Sequence, residues 1–252
     1  ATRVGGRWGD RLEAPLRLLD QRIVDEHPRV RLEAIVACSD IRSAESMVVA
    51  AKASSQPLDR FARYALTKTS HALAPHWRPA LAKGGIHFEQ PEHLGFVLRA
   101  YGGKDVVAAV RALLESPEAA PGISAGLMVL LVEIGTPGDL RWVLDRAADE
   151  PTVLDALIQA ARVRGLKPDG DLVPSLTQLL GNGNQAIRTR AIRLAGDWKI
   201  EALTERVRQI FANGQAPVAA RAFALEALGS LEGRKALDGV LATVNDPAPG
   251  LR

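Results

Sequence analysis

The chain has 252 residues, 47% of them apolar and only 4% aromatic, with alanine and leucine abundant, a composition that suits thin helix-on-helix layers better than a sandwich or a barrel. Its 32 basic and 29 acidic residues are interleaved and leave a formal charge of +3, unlike the one-sided basic stripe of a nucleic-acid binder. A single cysteine excludes an internal disulfide and any cysteine-based zinc or c-type haem motif, and the longest apolar run, Leu127 to Val132, is too short to span a bilayer.

No methionine, basic n-region or apolar h-region opens the chain, so it reads as a piece of something longer. The first predicted helix runs from about Asp10 to Val24, with Leu12, Leu16, Leu19 and Ile23 inward and Pro15 near its first turn. The stretch from Asp25 to Cys38 follows. Pro28 opens its helix, since its missing N–H has no intrahelical partner there, and Val30, Ala34, Ala37, Cys38 and Ile41 form one apolar stripe. A second pair spans Ser43 to about Ser54 and then a helix opened by Pro57 that carries Phe61, Ala65 and Leu66.

Between Pro75 and Pro91 the pattern fails. Pro75, Pro79 and Pro91 with Gly84-Gly85 predict an irregular Pro/Gly connector over 75–91, with a short helical turn around Trp77 to Leu81. Short helices are expected at Leu94 to Tyr101 and Val106 to Leu114. The stretch from Ile123 to Ile134 is apolar on nearly every side, so it should be buried on more than one face, at the centre of the stack. Periodicity resumes after Thr136-Pro137. Leu140, Val143, Leu144 and Ala147 precede Leu154, Leu157, Ile158 and Ala161. Leu172, Leu176, Leu179 and Leu180 pair with Ile187, Ala191, Leu194 and Ala195. Leu203, Val207, Ile210 and Phe211 pair with Ala220, Ala224, Ala227, Leu228 and Leu231, and Leu237, Val240, Leu241 and Val244 come last.

One grammar runs through these pairs. Asp25 stands six residues before Arg31, as Asn182 does before Arg188 and Asp246 before Arg252. Ala34, Ala191 and Ala224 each follow an arginine by three, and Arg188, Arg221 and Arg252 are spaced 33 and 31 residues apart, with Leu154 in the same slot 34 residues before Arg188. Such periods mean stacked helical repeats. The expectation is an all-α, α-solenoid fold of about six to seven helix pairs, read as a single domain over 1–252. The polar capping repeat that ends a solenoid is missing at Arg252, so the natural protein is expected to continue.

Candidate chemistry is weighed against structural roles. Gly181-Asn182-Gly183-Asn184-Gln185-Ala186 has the form G-x-G-x-x-A, but a predicted helix, not a strand, precedes it, which makes it an inter-helix turn. His27, His71, His76, His87 and His93 lack the three- or four-residue spacing that puts two ligands on one helix face. Cys38 falls in an apolar stripe and reads as a buried thiol. Asp25-Glu26 and Asp149-Glu150 sit where helix capping explains them. The arginines at Arg31, Arg188, Arg221 and Arg252 keep fixed places relative to the turns, which makes them a structural ladder to the turns of Asp25, Asn182 and Asp246 rather than a ligand-binding stripe. Trp8, Trp77, Trp142 and Trp198 are scattered one per element. No catalytic, cofactor or metal site is expected. His76, Trp77 and Arg78, which break the repeat for no evident stacking reason, together with the row of second helices, are the expected interaction surface.

The unit resembles the HEAT repeat in its paired helices, its proline at the second helix and its Asp/Asn-to-Val-Arg turn. A narrower likeness lies in His27-Pro28-Arg29-Val30-Arg31-Leu32-Glu33-Ala34, Pro57-Leu58-Asp59 and Leu73-Ala74-Pro75-His76-Trp77-Arg78-Pro79-Ala80-Leu81. These segments resemble the HEAT portion of large planctomycete and verrucomicrobial membrane-bound dehydrogenases that carry a c-type haem domain. The resemblance implies a spacer or docking module in an exported or periplasmic redox protein, with a protein partner or the flanking domains of the same polypeptide as what it binds. No C-x-x-C-H occurs here, so no haem attachment carries over, and no cofactor is expected. Against this noncatalytic scaffold stand a HEAT-like alkylpurine DNA glycosylase, which would need aromatic and acidic residues converging in a basic groove, and a HEAT-like chromophore lyase. Neither constellation is visible, and no specific nucleic-acid binding is expected.

Overall fold

The computed structural model describes residues 13–116, 121–146 and 150–236, and the side chains of these apart from 121–123. Every regular element among them is helical, and helices pack against their neighbours in sequence order, the all-α helical-repeat fold that the periodicity predicts. The chain divides into two compact units, Ala1–Leu127 and Met128–Arg252.

In the first unit the α-helices are α1 (Pro15–Ile23), α2 (Pro28–Asp40), α3 (Ala44–Ala51), α4 (Arg60–Ala72), α5 (Ala74–Ala82), α6 (Pro91–Tyr101) and α7 (Val107–Glu115). The helix α8 (Pro121–Ile134) contains the boundary between units. First helices α1, α3 and α5 pack in succession, and so do second helices α2, α4 and α6. The core is made of Leu19, Ile23, Ile35, Met47, Leu66, Trp77 and Leu98, all fully enclosed.

The second unit continues with α9 (Pro137–Leu144), α10 (Pro151–Arg164), α11 (Val173–Leu180), α12 (Gln185–Asp197), α13 (Thr204–Ala212) and α14 (Val218–Glu232). Second helices α10, α12 and α14 again pack in succession. The contact of α12 with α14 is very close, because a Cβ on Gly196 would lie 2.7 Å from Ala227 Cα. The repeat register is visible at the caps. Arg31, Arg188 and Arg221 each stand four residues after the cap residue of a second helix, His27, Asn184 and Pro217, and Leu154 stands four after Glu150.

Several expectations need correction. Pro57 does not open α4. Asp59 does, its Oδ1 accepting the N–H of Phe61 and Ala62 at 2.9 and 2.8 Å, and the resulting register buries Ala62, Leu66, Thr69 and Ser70 and turns Phe61 to solvent. The irregular connector is shorter than 75–91. Pro75 sits in the first turn of α5, where it costs nothing, and Pro79 removes one hydrogen bond without ending the helix. The chain leaves regular structure only after Ala82. There Gly84, at φ +69°, closes the helix, with the Gly85 N–H donating to the Ala80 carbonyl at 2.8 Å. On α10 it is Ala160, not Ala161, that is buried, and Leu16, Ile210, Phe211 and Leu231 are half-buried. Leu127, Leu130, Leu131 and Val132 of α8 are buried. Residues Trp8, Leu12, Ala147, Asp149, Leu237, Val240, Leu241, Val244, Asp246 and Arg252 lie outside the described residues.

Candidate functional site

The turn that enters each second helix is built first from its own side chains. Asp25 Oδ1 accepts the His27 N–H at 2.9 Å, and His27 Nδ1 accepts the Arg29 N–H at 3.2 Å. The equivalent turn in the second unit repeats both contacts: Asn182 Oδ1 accepts the Asn184 N–H at 2.7 Å, and Asn184 Oδ1 accepts the Ala186 N–H at 2.9 Å. Gly181 to Asn184 is thus the connection between α11 and α12, and Gln185-Ala186 begins α12.

With the turn formed, its carbonyls converge on the arginine one helical turn later. Arg31 Nη1 donates to the Asp25 and Glu26 carbonyls at 2.8 and 3.0 Å, and Nη2 donates to Pro57 O at 3.4 Å in the next repeat. Arg188 Nη1 donates to the Asn182 and Gly183 carbonyls at 2.6 and 2.9 Å. The acceptors within the turns are backbone oxygens, with Gln185 Oε1 accepting from Arg188 Nη2 besides, and the Asp25 and Asn182 side chains serve the turn instead. Arg221 differs: its Nε donates to the Phe211 carbonyl at 3.1 Å, in the preceding helix.

The second helices of the second unit carry further charge, and it is paired there. Arg190 of α12 binds Asp155 of α10 through two contacts of 2.8 and 2.7 Å. Arg162 of α10 reaches both Asp197 of α12 and Glu226 of α14 at 2.8 Å. Arg193 lies over the Phe223 ring at 4.5 Å. Exposed pairs of this kind contribute little each to stability, but here they link successive second helices.

Of the interaction surface expected at His76, Trp77 and Arg78, Trp77 offers no exposed side chain. Trp77 is fully buried, its Nε1 donates to the Ser70 carbonyl at 2.8 Å, and its ring meets the Tyr101 ring edge-on at 5.5 Å. It breaks the sequence pattern because it fills the core beneath α6. Arg78 is engaged as well. It forms an ion pair with Asp105, lies 5.0 Å over the Tyr101 ring and donates from Nε to the Ala74 carbonyl at 3.2 Å. His76 is half-buried. Beside this cluster, α5, α6 and α7 enclose a cavity of about 520 Å³, floored by Trp77, Leu81, Leu94 and Leu113, with Arg78 and Asp105 at its rim.

The groups that could react are dispersed. Cys38 is fully enclosed, and burial with the nearby Asp20 carboxylate pushes its pKa up to about 12, so the nucleophilic thiolate is suppressed. His93 is buried with Nε2 2.6 Å from Ser55 Oγ, and burial holds its pKa below the ordinary value against the pull of Glu89 and Glu92. Among the described residues, no three His, Cys, Asp or Glu side chains come close enough to hold a metal ion, and no helix is long and apolar enough to cross a membrane.

One further surface stands out that the sequence analysis did not single out. On α4, Phe61 and Tyr64 are 56% and 65% exposed, the two most exposed aromatic side chains among the described residues. Arg60 lies 4.5 Å over the Phe61 ring and Lys68 lies 5.4 Å over the Tyr64 ring. Arg63, also exposed, stands four residues after its cap Asp59, in the ladder slot, yet it bonds no turn. The signal in the sequence was the lack of any Asp or Glu from Arg60 to Ala72, together with the alternative stripe of Ala62, Leu66, Thr69 and Leu73. No protein-family model matches the chain, and no curated protein matches it.

Proposed function

We propose that this chain is a noncatalytic helical-repeat module of HEAT type that docks protein, either a separate partner or the domains beside it in a larger exported redox polypeptide. The observation that carries this reading is the exposed Phe61–Tyr64 pair on α4. Aromatic side chains and arginine are enriched at interfaces, and these two stand mostly clear of the packing beneath them. The apolar lining of the α5–α7 cavity and the use of Arg31, Arg162, Arg188 and Arg190 in the fold's own bonds agree with a docking role. The link to an exported dehydrogenase with a haem domain rests on the resemblance of the segments from His27 to Leu81.

The competing reading is a DNA glycosylase of the alkylpurine type. It requires a flipped base held against aromatic side chains with an acidic group at hand, whereas the α4 surface has no carboxylate outside the helix cap. A titration of the chain against alkylated duplex DNA at physiological salt, with base release measured, tests this. The expected result is weak binding that fades with salt and no released base. Tight, salt-resistant binding with base release would overturn the docking reading.

A further inference from the structure

We infer that the exposed face of α4 is the docking site for an acidic polypeptide segment that carries apolar side chains between its carboxylates. The inference rests on the docking function proposed above and names the chemistry of the partner. Its basis is charge that the fold leaves unused. Arg60, Phe61, Arg63, Tyr64, Lys68 and His71 share one half of the helical wheel, opposite the buried Ala62, Leu66, Thr69 and Ser70. Among the described residues, none of Arg60, Arg63 and Lys68 pairs with a carboxylate. The nearest acid in sequence, Asp59, spends its carboxylate on the N–H groups of Phe61 and Ala62. Arg99, on the adjacent second helix α6, adds a fourth cation. Burial first, and then the neighbouring Arg63, push its pKa below the usual arginine range.

The contrast with the second unit sharpens the assignment. There, Arg162 and Arg190 of the second helices are met by Asp155, Asp197 and Glu226 from adjacent repeats. On α4 no complementary acid is met among the described residues, and a partner's carboxylates would complete the pattern. From Arg60 to His71 the face is roughly 16 Å long at the helical rise, enough for about three turns of a bound helix or five extended residues. A polypeptide suits it better than a nucleic acid. The Phe61 and Tyr64 rings each have a cation over one face, which leaves one face at most for a base to stack on. Carboxylates pair with guanidinium edges and aliphatic side chains pack on aromatic rings, so an acidic, partly apolar segment satisfies both kinds of group at once.

The test uses the whole chain and three labelled probes followed by fluorescence anisotropy: a peptide of glutamates interspersed with leucines, its glutamine analogue, and oligothymidine. The glutamate peptide is expected to bind, and the glutamine analogue and oligothymidine to bind at least about tenfold more weakly. Phe61→Ser/Tyr64→Ser and Arg63→Glu/Lys68→Glu should each weaken the glutamate peptide at least about tenfold, with helical circular dichroism unchanged. If the glutamine analogue binds as well as the glutamate peptide and depends on Phe61 and Tyr64, the acidic partner is wrong while the docking reading stands. If oligothymidine binds as tightly as the glutamate peptide, or Arg63→Glu/Lys68→Glu has no effect, the inference fails. If no peptide binds, or binding ignores both double variants, the inference and the α4 docking surface fail together.

Discussion

Replacing Arg31 by alanine isolates what the arginine ladder contributes. The side chain is 8% exposed and donates to three carbonyls, two in its own turn and one at Pro57 in the next repeat. Charged donors to such acceptors are worth about 1.5–3 kcal/mol, and truncation leaves the Asp25 and Glu26 oxygens to find water in a partly buried turn. Against this, Arg31 Nε is buried without a partner, and the 3.4 Å contact to Pro57 is long, so we place the net loss near the lower end, at about 2 kcal/mol. With a urea slope of about 2 kcal/mol per molar for a unit of this size, the unfolding midpoint should fall by about 1 M. Urea unfolding with peptide-resolved hydrogen exchange across α2 would locate the loss in the first unit. Arg31→Lys should recover only part of it, since one ammonium cannot span carbonyls that a planar guanidinium bridges. An Arg31→Ala protein of unchanged stability would refute the ladder, and one that also lost binding to some ligand would make the arginines a site.

Trp77→Ala should cost about 3–5 kcal/mol as a core truncation, whereas Tyr64→Ser should change stability by less than about 0.5 kcal/mol; thermal unfolding of both variants checks the pair. Gly196→Ala should destabilise the second unit by about 1–3 kcal/mol, because the new methyl meets Ala227 at 2.7 Å and must push α14 away, which urea titration would read. Cys38 titrates at about 12 in the fold against 9.0 for the model thiol. The folded state therefore holds the proton more tightly, and Cys38's share of stability is intact below pH 9.0 and lost between there and about 12, at up to about 1.4 kcal/mol per pH unit. The difference in alkaline unfolding between the native chain and Cys38→Ala measures it, and the native thiol should resist thiol reagents at neutral pH until the chain is unfolded.

The fold was legible because it is written in repetition. The register of Arg31, Leu154, Arg188 and Arg221 marks the same position of four second helices, and regular spacing survives the loss of any one residue. What failed were the places where a local device overrides the pattern. Proline in the first turn of α5 reads as a breaker in one dimension and is harmless at a helix start. Asp59 caps α4 two residues later than Pro57 suggested, and in the resulting register Phe61 faces solvent. Trp77 looked surplus because its partner Tyr101 is 24 residues away, a tertiary contact that no periodicity encodes. The candidate surface on α4 went unremarked because its buried stripe was not assigned, although the acid-free run from Arg60 to Ala72 is plain in the sequence.

The most direct test of the docking function is photo-crosslinking from position 64 in the natural full-length protein, with a benzophenone amino acid in place of Tyr64 and mass spectrometry of the products. The docking account predicts crosslinks that land on polypeptide, within a defined segment rich in Asp and Glu, and that disappear when Arg63→Glu/Lys68→Glu is added. Crosslinks that land on nucleic acid, or a position 64 that captures only water, would contradict it.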